Sequence, residues 1–181
     1  PWDGALETEK GACEGYFEWL DSTINIGRDL DETQFIIKIH PAEKIRGTNQ
    51  STAQWIKSNY PNLPPNFSIL PADTDVDTYK IFDILDAGVV YATTTGLEMS
   101  YNGIPVVTGG YPPYYDFNIT FDPRNPRDYE NLIRNINNIT QNKHMQKRAR
   151  RFAYLLFISK QFEFPYLDEF FSDSDDTITL E

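Results

Sequence analysis

Four short apolar runs constrain this chain more than any other feature. They are "FIIKI", "FSIL", "GVVYA" and "IPVV", and stretches of helical or turn character separate them. Each run has the length of a strand, and β-branched and aromatic residues dominate them. Between the runs lie residues 50–58 around Trp55 and Ile56, the proline-rich turn "YPNLPPN", the capped segment "TDVDTYKIFDILDA", and "GLEMSYN" with Gly103 at its C-cap. Strands alternating with helices predict parallel pairing, because a parallel connection needs a crossover and a helix is the usual crossover. "GVVYA" is apolar on both faces, as a strand in the middle of such a sheet must be. The predicted fold is therefore α/β, a Rossmann-like parallel sheet with helices on both faces.

A helix is expected over residues 5–26, where Ala12, Tyr16, Trp19, Leu20 and Ile24 share one stripe. "NPRDYENLIRNINNI" and "QNKHMQKRARRFAYLLFIS" predict two more helices, and "PYLDEFF" a last short one. The expected division is a domain over 1–160, then a short helix and a loose acidic tail over 161–181.

At 181 residues with 40% hydrophobic content, the chain can bury one sizeable core. Its net charge of −11 argues against wrapping nucleic acid, and against a mainly electrostatic hold on anionic membrane. A phosphorylated ligand remains compatible, because a local group of backbone N–H donors outweighs a distant field. The one cysteine, Cys13, permits neither an internal disulfide nor a cysteine-based metal site, and two histidines do not make the usual zinc sets. No apolar run approaches the ~20 residues of a membrane-spanning helix, and the start shows no signal-peptide pattern. A cytoplasmic location is expected, extending to the inner face of the plasma membrane. The opening "PWDG" and the closing "LE" read as the ends of a fragment of a longer protein. The Asn-x-Ser/Thr triplets at Asn49, Asn66, Asn118 and Asn138 read as accidental.

Ligands of open parallel sheets bind beyond the carboxyl ends of strands. Thr93, Thr94, Thr95 and Gly96 occupy that place after "GVVYA". Three hydroxyls and the free N–H groups of a new helix suit phosphate, and Gly96 lets backbone approach a ligand. Glu98 has two readings. It completes a Thr-x-x-Glu capping box with Thr95, or it accepts hydrogen bonds from a ribose diol. In "FIIKIHPAE", Ile36, Lys38 and His40 share one strand face, with Phe35, Ile37 and Ile39 on the other. Either Lys38 pairs with Glu43 and His40 is a satisfied core histidine, or His40 donates to phosphate from the same rim as the threonines. In "TGGYPPYYDF", Gly109 and Gly110 allow close approach. Tyr111, Tyr114 and Tyr115 either stack on a base or sugar or cover the sheet edge. Lys147, Arg148, Arg150 and Arg151 form a basic helix face in an acidic chain. It is either solvated, or in contact with a missing domain or anionic lipid headgroups.

Taken in order, "IIKIHPAE", "LPPNFSIL", "VDTYKIFDILDAGVVYATTTGLEMSYNGIPVVTGGYPPYYDF" and "RARRFAYLLF" resemble the C-terminal half of capsule and surface-polysaccharide biosynthesis proteins. These resemble glycosyltransferases of the two-domain GT-B architecture, and the similarity covers about residues 34 to 160. The resemblance implies a domain that binds a nucleotide-sugar donor of UDP or CMP type. His40 and the Thr93–Thr95 loop would meet the phosphates and Glu98 the ribose, with Lys38, Glu43, Gly109, Gly110 and Tyr111 around them. It implies no metal and no cofactor beyond the donor substrate. A glycan acceptor and the catalytic base would belong to an N-terminal half. The implied chemistry is inverting displacement at the anomeric carbon. Polyol-phosphate polymerases share the "HP" element but carry "Asp-Tyr-Ser-Ser" where this chain has "Ala-Thr-Thr-Thr". Sugar-nucleotide epimerases share the architecture but carry further catalytic residues not placed here. A non-catalytic Rossmann-like interaction module is the competing reading of the same residues.

Overall fold

The structure, a computed structural model, describes residues 11–45 and 51–159. It is a mixed α/β fold built on two parallel strand pairs. Strand β1 (Phe35–Lys38) pairs with β2 (Phe67–Leu70), in the register Phe35 to Phe67 and Lys38 to Leu70. Strand β3 (Gly88–Val90) pairs with β4 (Val106–Thr108), Gly88 facing Val106. Helices α2 (Ala42–Ile45) and α3 (Thr52–Asn59) lie in the first crossover, and α5 (Thr95–Asn102) makes the second. Helix α4 (Thr78–Phe82) joins the two pairs, and α1 (Tyr16–Gly27) precedes them. Helix α6 (Pro126–Arg134), a 3-10 turn, α7 (Lys143–Tyr154) and a π turn (Leu155–Ser159) follow.

The four strands were expected in one sheet. Among the described residues they form two separate ladders, extended only by a single parallel bridge from Val107 to Phe121. Side chains rather than hydrogen bonds join the pairs. Phe35, Ile37 and Phe67 of the first pair pack in one cluster with Val89, Tyr91 and Val107 of the second, under α1 and α6. Alternation along β3 and β4 sends Val90 and Val106 to the opposite face, against Met99 of α5. The second pair therefore has helices on both faces, with α7 packed outside α5.

The first pair is covered on one face only. Phe35 stacks on Phe67 with centroids 4.5 Å apart on the core side, while Ile36 on the other side is 40% exposed. Lys38 and His40 alternate with Ile37 and Ile39 as the sequence predicts. The strand is not buried on their side, however, so neither must be neutralised or paired to exist there.

Helix α1 starts at Tyr16, eleven residues later than the pattern from residue 5 suggests. Gly15 is extended (φ −154°, ψ 159°), and Cys13 N–H donates to the Gly109 carbonyl at 3.2 Å. This segment is spent on a tertiary contact, and the expected helix before residue 11 lies outside the described residues. Helix α4 covers only five residues of the long stretch expected around it, capped by Asp77 on Tyr79 N–H. Gly103 ends α5 at φ 94°, as expected for a left-handed C-cap. Asn66 is buried, and its amide donates to the carbonyls of Gly27, Leu30 and Thr33. That triplet asparagine ties the end of α1 to the start of β2. The expected "PYLDEFF" helix, the acidic tail and Asn49 lie outside the described residues.

Candidate functional site

The carboxyl end of β1 is built tightly around its turn. Ile39 extends the ladder through its N–H to the Leu70 carbonyl at 3.0 Å. His40 then faces solvent. Its Nδ1 accepts the Ala42 N–H at 3.1 Å, which places the proton of the neutral ring on Nε2. Glu43 does not pair with Lys38. Its carboxylate accepts the N–H of Thr52 at 2.8 Å and the hydroxyl of the same residue, locking α2 to the start of α3. Lys38 is half-buried and forms no ion pair among the described residues. The alternative that sequence left open, a Lys38–Glu43 pair over a buried His40, is therefore not what forms.

One relay ties this rim to the next strand. Thr52 Oγ1 shares a hydrogen bond with the Tyr16 hydroxyl at 3.2 Å, and the Tyr16 ring meets Tyr91 edge-on at 5.7 Å. Burial pushes the Tyr16 phenol up, with the Thr52 bond opposing and the Glu43 charge adding to the rise. Tyr91 follows β3 directly, and its carbonyl accepts the Gly110 N–H at 3.0 Å. A chain of contacts through α1 thus links the α2–α3 junction that follows β1 to Tyr91 at the end of β3.

The threonine loop is ordered by its own groups. The Thr95 N–H donates to Thr93 Oγ1 at 3.3 Å, and that hydroxyl points to Thr95 Oγ1. Thr94 sits at the N-cap with helical backbone and makes no side-chain cap. The expected capping box is absent. Glu98 instead accepts the hydroxyl of Tyr79, an exposed α4 residue, at 3.1 Å. That bond, then the Glu98 charge, raises the Tyr79 phenol above its ordinary value. The first N–H groups of α5 turn inward. Gly96 N–H reaches the Thr93 carbonyl at 3.4 Å and Glu98 N–H the Thr94 carbonyl at 3.1 Å. What the loop presents outward is hydroxyl, above all that of exposed Thr94.

The three glycines expected to admit a ligand admit rings of this chain. A Cβ on Gly96 would strike the Tyr114 phenol and one on Gly109 the Trp19 indole, while one on Gly110 would sit tightly, 3.0 Å from the Tyr91 carbonyl and 3.1 Å from its ring. A Cβ on Gly11 would come within 2.7 Å of Gly109 and Gly110, so residues 11–13 run over that turn. Tyr114 and Tyr115 are buried, which matches covering the sheet end rather than stacking on a base. Tyr111 is half-buried, its ring 4.5 Å from that of Tyr115.

Sequence reasoning passed over Tyr79 and Asp122. Asp122 accepts from Thr108 Oγ1 at 3.0 Å, Thr120 Oγ1, and Asp116 N–H at 2.9 Å, closing the loop after β4. Burial raises its carboxyl and these bonds oppose the rise. The one available signal was "DFN", since Asp116 and Asn118 adopt φ of 64° and 53° and such residues tolerate left-handed backbone.

Among the described residues no group of His, Cys, Asp and Glu could hold a metal ion, and no helix is long and apolar enough to cross a membrane. Two open grooves flank α7, and neither is lined by His40 or the threonines. Comparison with family models, curated proteins and solved structures finds no match to this chain.

Proposed function

We propose that this chain is the nucleotide-sugar-binding, Rossmann-like part of a GT-B-type glycosyltransferase that builds capsule or surface polysaccharide. The observation that supports it is the Glu43–Thr52–Tyr16–Tyr91 relay, which links the helix directly after β1 to the residue directly after β3. Ligand sites of open parallel sheets form at such ends. The donor's phosphates meet Nε2–H of His40 and the hydroxyls of Thr93, Thr94 and Thr95. Glu98, with Tyr79 beside it, takes the ribose diol. Lys38 adds positive charge from the open face of β1. In the reaction an acceptor hydroxyl oxygen bonds to the anomeric carbon as the carbon–phosphate-oxygen bond breaks. The electron pair leaves with the nucleotide, and the acceptor's proton goes to a base on another part of the enzyme. His40 and the threonine hydroxyls stabilise the charge that grows on the departing phosphate, a role worth ~3 kcal/mol for a single well-placed donor.

Calorimetric titration with UDP and CMP tests this reading. Binding is expected, and Glu98→Ala weakens it by about 1–3 kcal/mol, the scale of hydrogen bonds to a charged group. A folded chain that binds neither nucleotide refutes it. The filled glycines and the internally satisfied start of α5 favour a second reading, a non-catalytic interaction module. Flat titrations together with a captured protein partner would select that one.

A further inference from the structure

We propose that the end of α7 and the π turn after it form a docking surface for an anionic lipid bilayer. Lys147, Arg148, Arg150 and Arg151 are all exposed, in a chain whose net charge is −11. Arg150 lies 5.3 Å from the centre of the Tyr101 ring. Lys147, Arg148 and Arg151 form no ion pair among the described residues. Large apolar side chains follow within the next two turns, with Tyr154 and Ile158 each 61% exposed and Leu155 49% exposed. Phe117, 54% exposed, stands beside them against Phe152, the ring centroids 5.0 Å apart.

A groove of about 540 Å³ runs between the two kinds of side chain, lined by Lys147, Arg150, Arg151, Tyr154 and Leu155. A bilayer surface offers the complementary order: phosphate headgroups outside, acyl chains just beneath. Arginine and lysine take the former and the protruding aliphatic and aromatic tips enter the latter. Charge and apolar insertion together supply the two signals that stable attachment requires. The acidic remainder of the chain is repelled by the same surface, so contact is confined to this edge and fixes the orientation. This surface is independent of the nucleotide reading, because no residue of the threonine loop or the β1 rim takes part.

The test is co-sedimentation of the whole chain with phosphatidylglycerol–phosphatidylcholine vesicles and with phosphatidylcholine vesicles. Binding to the anionic vesicles should exceed binding to the neutral ones by at least about tenfold and weaken with salt. Arg148→Glu with Arg151→Glu, and separately Leu155→Ser with Ile158→Ser, should each lower it by about tenfold while leaving the melting curve in place. Because all four positions are exposed, folding survives both pairs of changes. The proposal is overturned if the folded chain shows no preference for anionic vesicles, or if both double variants bind as the parent does. It is equally overturned if these residues capture an acidic protein while vesicles are ignored.

Discussion

The phenol oxygen of Tyr114 lies where a Cβ on residue 96 would have to be. From there it donates to the Thr93 carbonyl at 2.6 Å. One buried ring thus both requires the glycine and holds the loop carbonyl just before α5.

Gly96→Ala is expected to destabilise the fold by about 1–3 kcal/mol, the range for an extra carbon forced into packed interior. Tyr114→Phe removes the clashing oxygen but leaves the Thr93 carbonyl with only the long bond from Gly96 N–H, costing about 0.5–1.5 kcal/mol itself. In the double variant the two losses should add to less than their sum, with a coupling of about 0.5–3 kcal/mol. Urea unfolding of the four proteins measures it. Strict additivity would show that the phenol and the glycine do not meet.

Glu98 raises the Tyr79 phenol through a hydrogen bond and its charge. Glu98→Gln should therefore bring one tyrosine back to lower pH in an ultraviolet phenol titration, with the others unmoved. No change in the titration curve would mean that the Tyr79 contact is not kept in solution. A nucleotide that displaces Tyr79 from Glu98 should produce the same downward movement in the parent protein.

Asn66 gives both amide protons to three carbonyls inside the protein, and its own Oδ1 is buried without a partner. Asn66→Asp puts a carboxylate against those carbonyls, which raises its folded pKa above the unfolded value. The folded state then holds the proton more tightly, so stability falls as pH rises through the folded pKa. Thermal melts should show a larger deficit at neutral pH than near pH 4. A deficit that grows toward acid would contradict the assigned amide orientation.

Asp122 is raised from 3.8 by burial against the loop after β4. Its protonated form is favoured on folding, so the stability it contributes is full below 3.8 and declines as pH rises through the higher folded value. The parent's advantage over Asp122→Asn should narrow over that interval in urea unfolding. An advantage that widens with pH would mean that its three hydrogen bonds outweigh desolvation.

Much of the local architecture was legible in the chain. "FIIK", "FSIL", "GVV" and "VVT" become strands, because short β-branched runs closed by proline, glycine or turn residues have few other uses. Gly103 at the C-cap of α5 and Asp77 at the N-cap of α4 follow from side-chain size and hydrogen bonding alone. The alternation of Lys38 and His40 with Ile37 and Ile39 follows from strand geometry.

The glycines carried the opposite lesson. A glycine announces that something comes close, and local sequence cannot say what. For Gly96 and Gly109 the visitor is a ring from residue 114 or 19, and for Gly110 the carbonyl and ring of residue 91. The Thr-x-x-Glu spacing likewise permits a capping box, but Tyr79 takes the Glu98 carboxylate and Thr93 Oγ1 takes the Thr95 N–H.

By itself, then, the sequence determined which segments are strands and helices, that crossovers make the strand pairs parallel, and which side chains share a face. These are consequences of near-neighbour sterics and periodicity. Tertiary structure alone decided that the strands form two ladders joined by packed side chains, that Glu43 binds Thr52 rather than Lys38, and that aromatic rings fill the glycine gaps. Those outcomes depend on contacts between residues far apart in the chain, where several partners of similar chemistry were available and packing selected one.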